Sequence, residues 1–342
     1  MVRSDDLATS RPPIGGGPVA PSLAAVAAAA ERIAPHIVRT PVVPWLGPVA
    51  RRLFGDDTEI WLKLELLQVG GSFKARGALN TALQLPVAER SRGLTAFSSG
   101  NHAIAVAFAA QVLGVTAKVV MLSSANPARI ETCRGLGAEV LFAPDGDAAS
   151  EMVREIQERE GRAAIHPYDG VHTTEGSGTI ALELVEQIPD LDAVLVSIGG
   201  GGLCSGLAST LKQLRPECRI YAIEPEGADT MYRSFQTGRP QAAGAITTIA
   251  DCLAPPRTLP YSYGLCRQSV DELALISDAA MVDAMALLFR ELKLAVEPGG
   301  AASTAAALGP FRERIAGKRV AILLCGSNID LRSFAQLVGG AA

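Results

Sequence analysis

The stretch Gly70-Gly71-Ser72-Phe73-Lys74-Ala75-Arg76-Gly77-Ala78 constrains this 342-residue chain more than any other. A β-rich run, Ile60-Trp61-Leu62-Lys63-Leu64-Glu65, leads into it, and Ala75 to Leu85 continues from it with helical character. A strand joined to a helix through glycines is the basic joint of α/β folds. With Ser72 as N-cap, Lys74 falls in the first helical turn. The partial positive charge of that helix end disfavours an ammonium and lowers the lysine pKa. A lysine offered as a free amine is what imine chemistry with a carbonyl compound requires, whereas a lone lysine at a helix start would read simply as solvent-exposed.

The rest of the chain keeps the same alternation. Apolar runs of strand length at 95–98, 117–121, 139–142 and 163–165 are separated by the helical stretches 101–113, 127–136 and 147–160. A second series follows, with strands at 193–198, 219–223, 273–276 and 320–324 and helices at 173–187, 203–214, 228–237, 278–292 and 301–308, then a last helix near Asp330. Alternation of this kind predicts an α/β protein with mainly parallel, open, twisted sheets and helices on both faces, three layers in each of two lobes. The expected boundaries are a flexible segment over 1–20, a large lobe from 21–92 and 170–342, and a small substrate-gating lobe over 93–169. Ser22 is placed to cap a short amphipathic helix over 23–30, which reads as a helix of the fold and not as a signal peptide.

Composition narrows the partners. A net charge of −4 leaves no electrostatic footprint for nucleic acid or an anionic membrane, and no run reaches membrane-spanning length. The six cysteines lack metal-ligand spacing and read as reduced thiols of a cytoplasmic protein. An anionic ligand must therefore be held by local amides and helix ends.

Two further joints offer such amides. Gly199-Gly200-Gly201-Gly202-Leu203 lies between a strand and a helix, suited to phosphate oxygens. A glycine-rich turn here could equally take a dinucleotide, but the G-x-G-x-x-G spacing fails at Cys204 and Ser205. Ser98-Ser99-Gly100-Asn101-His102 opens another helix and suits a carboxylate, though it could also be an ordinary N-cap. Cys325, at the end of a buried strand, reads alone as packing.

Taken together, Gly71–Ala78, the tetraglycine and Ser98–His102 resemble the serine/threonine dehydratase family, which uses pyridoxal 5'-phosphate and has the tryptophan-synthase-β-like fold (fold type II). The resemblance runs from about Ala28 onward and implies a set of roles. Lys74 holds the cofactor as an internal Schiff base, Phe73 lies beside the ring, and Gly199 to Leu203 bind the phosphate. Asn101 contacts the cofactor 3'-oxygen, while Ser98, Ser99, Asn101 and His102 receive the substrate carboxylate. Cys325 stands beside the pyridine nitrogen, and Glu297 near the ring. Ser99 matches the serine that acts opposite the lysine in the family's serine racemases, whereas Cys325 leans toward a dehydratase.

The chain departs from the family in two places. Cys252 replaces a glycine and is expected to press on the pocket. The glutamate of a divalent-metal pair, Glu224, is followed at the family spacing by Thr230, with Asp229 one residue early. The expected function is conversion of a β-hydroxy amino acid, of the L-threonine or L-serine type, to a 2-oxo acid and ammonia. Alternatives on the same scaffold are a serine racemase or a hydroxyaspartate ammonia-lyase; a β-replacement synthase and a non-catalytic nucleotide-binding protein are the others. The resemblance further implies a homodimer, with an activating cation left open, and the short form of the family without a regulatory domain.

Overall fold

The computed structural model describes residues 17–340, so most of the expected flexible segment 1–20 lies outside the described residues. Within residues 17–20, Pro18 and Val19 accept hydrogen bonds from Gln268 (3.3 Å) and Tyr261 (3.3 Å).

The chain opens with α1 (Leu23–Ile33), capped by the Ser22 hydroxyl, then β1 (Val42–Pro44), α2 (Pro48–Phe54) and β2 (Glu59–Lys63). Next come α3 (Lys74–Gln84) and the short α4 (Val87–Arg90). The middle of the chain is β3 (Leu94–Phe97), α5 (Asn101–Leu113), β4 (Ala117–Leu122), α6 (Pro127–Gly135), β5 (Glu139–Ala143), α7 (Gly146–Glu160) and β6 (Ala163–Ala164). It continues through α8 (Val171–Gln187), β7 (Ala193–Ser197), α9 (Gly202–Leu214), β8 (Arg219–Pro225) and α10 (Thr230–Thr237). The last elements are α11 (Pro260–Ser269), β9 (Glu272–Ile276), α12 (Asp278–Leu292), α13 (Pro298–Leu308), α14 (Arg312–Ile315), β10 (Arg319–Leu323) and α15 (Leu331–Val338).

Two sheets result. The larger has the order β1-β2-β10-β7-β8-β9 and the smaller β5-β4-β3-β6. Every pairing is parallel except β1 with β2, which puts an antiparallel strand at one edge. Parallel strands need covering on both faces, and alternation along each strand provides it. Ala193, Leu195, Tyr221, Ile223 and Ile322 pack toward α12 and α13. Val194, Val196, Ile220, Ala222 and Leu323 face α8, α9 and α11. In the smaller sheet, Leu94, Ala96, Val119 and Met121 pack toward α3 and α5, and Val120 with Ala143 toward α7.

Strand order fixes where a ligand can sit. From β7 the larger sheet grows through β8 and β9 one way and through β10 and β2 the other. Such a reversal opens a crevice at the carboxyl ends of the two central strands. The tetraglycine leaves the end of β7 and Cys325 the end of β10; both are at that crevice. The smaller sheet presents the Ser98–Asn101 loop from the end of β3.

Candidate active site

Lys74 is the first residue of α3, and Ser72, two residues before it, corrects the sequence expectation. Ser72 is extended (φ −162°, ψ 160°) and forms a bridge with Gly326 in place of a cap. The lysine loop is thus sewn to the end of β10: Phe73 N–H donates to the Cys325 carbonyl (3.1 Å), Ser327 N–H to Gly71 (2.9 Å), and the Asn328 amide to Gly70 (2.7 Å). Two residues further on, buried Arg76 is held by Glu65 (2.8 Å) and Glu183 (2.7 Å), which anchors α3 from below. Replacing either partner would leave a charge buried without compensation.

The Lys74 amine reaches into a cleft of about 420 Å³ lined by Phe73, Asn101, Gly199 to Leu203, Cys252 and Cys325. Its ammonium donates to the Pro167 carbonyl (2.5 Å) and stands 5.1 Å from the centre of the Phe73 ring. Burial lowers its pKa to about 8, against the opposing pull of the Cys252 and Cys325 thiols. Desolvation, more than the helix end, makes this amine available as a base or nucleophile.

The glycine turn leaves no room for side chains. A Cβ on Gly200 would fall 2.3 Å from the Tyr168 ring, and one on Gly199 2.9 Å from Leu253 Cα. Gly201 has φ +90°, which a side chain would strain. What remains is a collar of bare backbone at the start of α9, the geometry that favours an anion. Cys325 is buried; its thiol donates to the Gly299 carbonyl (3.5 Å) and accepts from the Ser197 hydroxyl (3.4 Å). Burial pushes that thiol up to about 12, so it stays neutral. Cys252 lines the same cleft, its thiol also raised by burial.

Asn101 is fixed at both ends of its amide. It donates to Glu297 (2.6 Å) and accepts from Asn328 (2.7 Å). An amide nitrogen carries two N–H groups, so one is left for the cleft. Its neighbours in sequence are placed elsewhere. The Ser98 hydroxyl accepts from Gly100 N–H (3.2 Å) and the Ser99 hydroxyl from Leu122 N–H (2.8 Å). The His102 ring lies 2.8 Å from the Ile165 carbonyl and is kept neutral, its pKa lowered to about 3 by burial and then by Lys74. It lines a smaller cavity behind the lysine with His166, Thr173 and Ser177. Asn101 alone of this loop's expected ligands faces the main cleft.

Glu224 is placed differently from the cation expectation. Its two oxygens accept the Met231 and Tyr232 N–H groups (2.8 and 2.7 Å) at the start of α10, and Asp229 pairs with Arg233 (2.8 Å). Both side chains are engaged within the protein. Among the described residues no group of three or more His, Cys, Asp or Glu side chains could hold a metal ion. Sequence reasoning missed Tyr168, Leu253 and Ser197 in the cleft and Arg129 beside it, since their neighbours lie far away in the chain.

These residues fit pyridoxal phosphate. A desolvated amine stands within one cleft with a bare-amide collar for the phosphate, a flanking aromatic ring, a free amide N–H and a neutral thiol. A family model described as "Pyridoxal-phosphate dependent enzyme" matches residues 33–326. The chain is 46% identical over 321 residues to the phenylserine dehydratase of Ralstonia pickettii, covering 93% of this chain and 97% of that protein. It is 36% identical to the serine racemase of Schizosaccharomyces pombe, over 94% of this chain and 98% of the other. The solved structure of maize serine racemase superposes with a TM-score of 0.88 at 35% identity, covering 93% of this chain and 97% of that one.

Proposed function

Because this chain belongs to the pyridoxal-phosphate dependent enzymes of fold type II, we propose that it is an ammonia-lyase. It would convert a β-hydroxy amino acid to a 2-oxo acid and ammonia. The observation that carries the reading is the Lys74 amine, desolvated and sharing one cleft with the tetraglycine, Asn101 and a neutral Cys325 thiol. Relatives named for dehydration of phenylserine, threonine and hydroxyaspartate support the reaction class.

Lys74 would hold the cofactor through its aldehyde, and the Gly199–Gly202 amides would hold the phosphate. The cofactor, when bound, supplies the electron sink that makes the substrate α-proton removable. Lys74, released as a free amine near neutral pH, takes that proton from Cα. Water leaves from the β-carbon, and the resulting enamine hydrolyses to the 2-oxo acid and ammonia. Asn101, which lines the cleft with one amide N–H beyond the bond to Glu297, would help orient the ring. Cys325, a neutral thiol lining the cleft, would offer the cofactor no charged partner, and so a weaker sink suited to elimination. The loop from Ser98 to Asn101, which leaves the end of β3, would receive the substrate carboxylate. Residues 93–169 would act as the gating lobe, and the working form would be a cytoplasmic homodimer, with an elution mass of twice the chain as its check.

The purified protein is expected to show an absorption band near the visible edge and to release 2-oxo acid from a panel of serine, threonine, phenylserine and 3-hydroxyaspartate. Lys74→Ala should lose both the band and turnover, as removal of a covalent anchor does. A variant that still turns over substrate would refute the role. Chiral analysis of recovered serine separates the racemase reading: its Ser99 hydroxyl is bound by Leu122 N–H and does not line the cleft.

A further inference from the structure

Arg129 stands on α6, against the smaller sheet, yet nearly all its bonds cross to the larger one. Its Nε donates to the Asn328 carbonyl (2.8 Å). Nη1 pairs with Asp251 (2.5 Å), and Nη2 reaches both Asp251 (3.3 Å) and Glu297 (3.2 Å). Its side chain is 9% exposed and that of Glu297 1%. Three segments far apart in sequence therefore meet on one guanidinium. Two of them also touch the cleft: Glu297 accepts from Asn101, and Asp251 opens the short turn whose Cys252 and Leu253 line it. Arg129 lies under the Ser98–Asn101 loop as well, since a Cβ on Gly100 would fall 3.2 Å from Nη1.

We propose that Arg129 is a positioning residue for the reaction. It clasps the smaller sheet onto the larger and so fixes Asn101 and the Asp251–Leu253 turn against the bound cofactor; the proposal rests on the ammonia-lyase reading. The planar fork is what the role needs, because its donors are aimed at two carboxylates and a carbonyl at once, where an ammonium offers a point charge only. Breaking the clasp frees Glu297, and Asn101 then loses the acceptor that orients its amide. A second tie between the layers, Asn126 to Asp330 (2.5 Å), is untouched, so loss of Arg129 loosens the joint without parting it.

The test compares wild type, Arg129→Met, Arg129→Lys and Asp251→Asn as holoenzymes. The readouts are visible circular dichroism of the bound cofactor, kcat, KM and melting of the unloaded protein. Arg129→Met is expected to weaken the dichroic band and to lower kcat by about 10²-fold, the scale of a misplaced reacting group, with KM moved much less. Arg129→Lys should recover part of both, and Asp251→Asn, at a partner whose side chain is 59% exposed, should shift them the same way. Wild-type band and kcat in Arg129→Met or in Asp251→Asn would overturn the proposal, as would equal damage in the Lys and Met variants that merely follows a fallen melting temperature. A colourless, inactive wild type would instead strike the ammonia-lyase reading. The clasp is then read from hydrogen exchange over residues 101–113 of the unloaded proteins: faster in Arg129→Met supports it, unchanged overturns it.

Discussion

At the scale of single residues, two buried groups with opposite habits contribute separable arms to the pH response of the unloaded protein. Lys74 has its pKa lowered from 10.5 to about 8, chiefly by burial. Between those values the unfolded chain holds a proton that the native state has shed, so this group adds stability as pH rises from about 8 toward 10.5. Glu224 has its pKa raised from 4.5 to about 8, also by burial. There the native state keeps a proton that the unfolded chain has lost, so its contribution falls as pH rises from 4.5 to about 8. At about 1.4 kcal/mol per pH unit, each effect is on the order of 3–5 kcal/mol. Subtracting denaturant-unfolding curves should show it: Lys74→Met removes the rising arm and Glu224→Gln the falling one. Wild-type and variant curves that run parallel across both windows would contradict the assignment.

At the scale of elements, the site depends on how closely α3 approaches α8. A Cβ on Gly176 would lie 2.5 Å from the Arg76 carbonyl and 2.7 Å from Gly77 Cα, both backbone atoms that cannot step aside. Gly176→Ala is therefore expected to destabilise the protein by about 1–3 kcal/mol, the usual cost of overpacking. Because α3 begins at Lys74, the displaced helix should also weaken cofactor retention, read as loss of the visible band on dialysis.

Helices and strands of this kind were largely legible beforehand. The stretches 101–113 and 278–292 form helices with the expected ends, and the apolar runs at 193–198 and 320–324 form strands to within a residue. Ser22 and Asp330 cap as their chemistry suggests. The failures have physical causes. Ser72 looked like a cap, but a long-range bridge to Gly326 outcompetes the local bond. The edge strand β1 is three residues and only partly buried, so it carries little periodic signal, and α2 and α11 are short helices with mixed faces. Lys74, the tetraglycine and Cys325 were readable because glycine turns and strand ends mark a site locally. Tyr168 and Arg129 were not, since what makes them matter lies in other segments.

At the scale of the whole molecule, the cleft draws on both sheets, so a ligand that bridges them should stiffen everything at once. Binding that favours the native state raises stability with ligand excess. Adding pyridoxal phosphate to the unloaded protein is expected to raise its melting temperature in a concentration-dependent way, by several degrees at saturation, and Lys74→Ala should blunt the rise. A melting curve indifferent to the cofactor would show that the cleft does not bind it.

The four parallel strands β3 to β6 come from one unbroken stretch, residues 94–164, set between β2 and β7 of the other sheet. Covalently that stretch is a cassette with two splice points, and its main electrostatic seam with the host runs through one arginine. Given the gating role proposed for this cassette, a transplant that keeps Asn101, the position-129 cation and the acids it meets is expected to shift substrate preference while the host retains its amine, its glycine collar and its thiol. Diversity in what such catalysts consume would then accumulate in a fifth of the chain, provided that Asn101, the cofactor contact inside it, is kept.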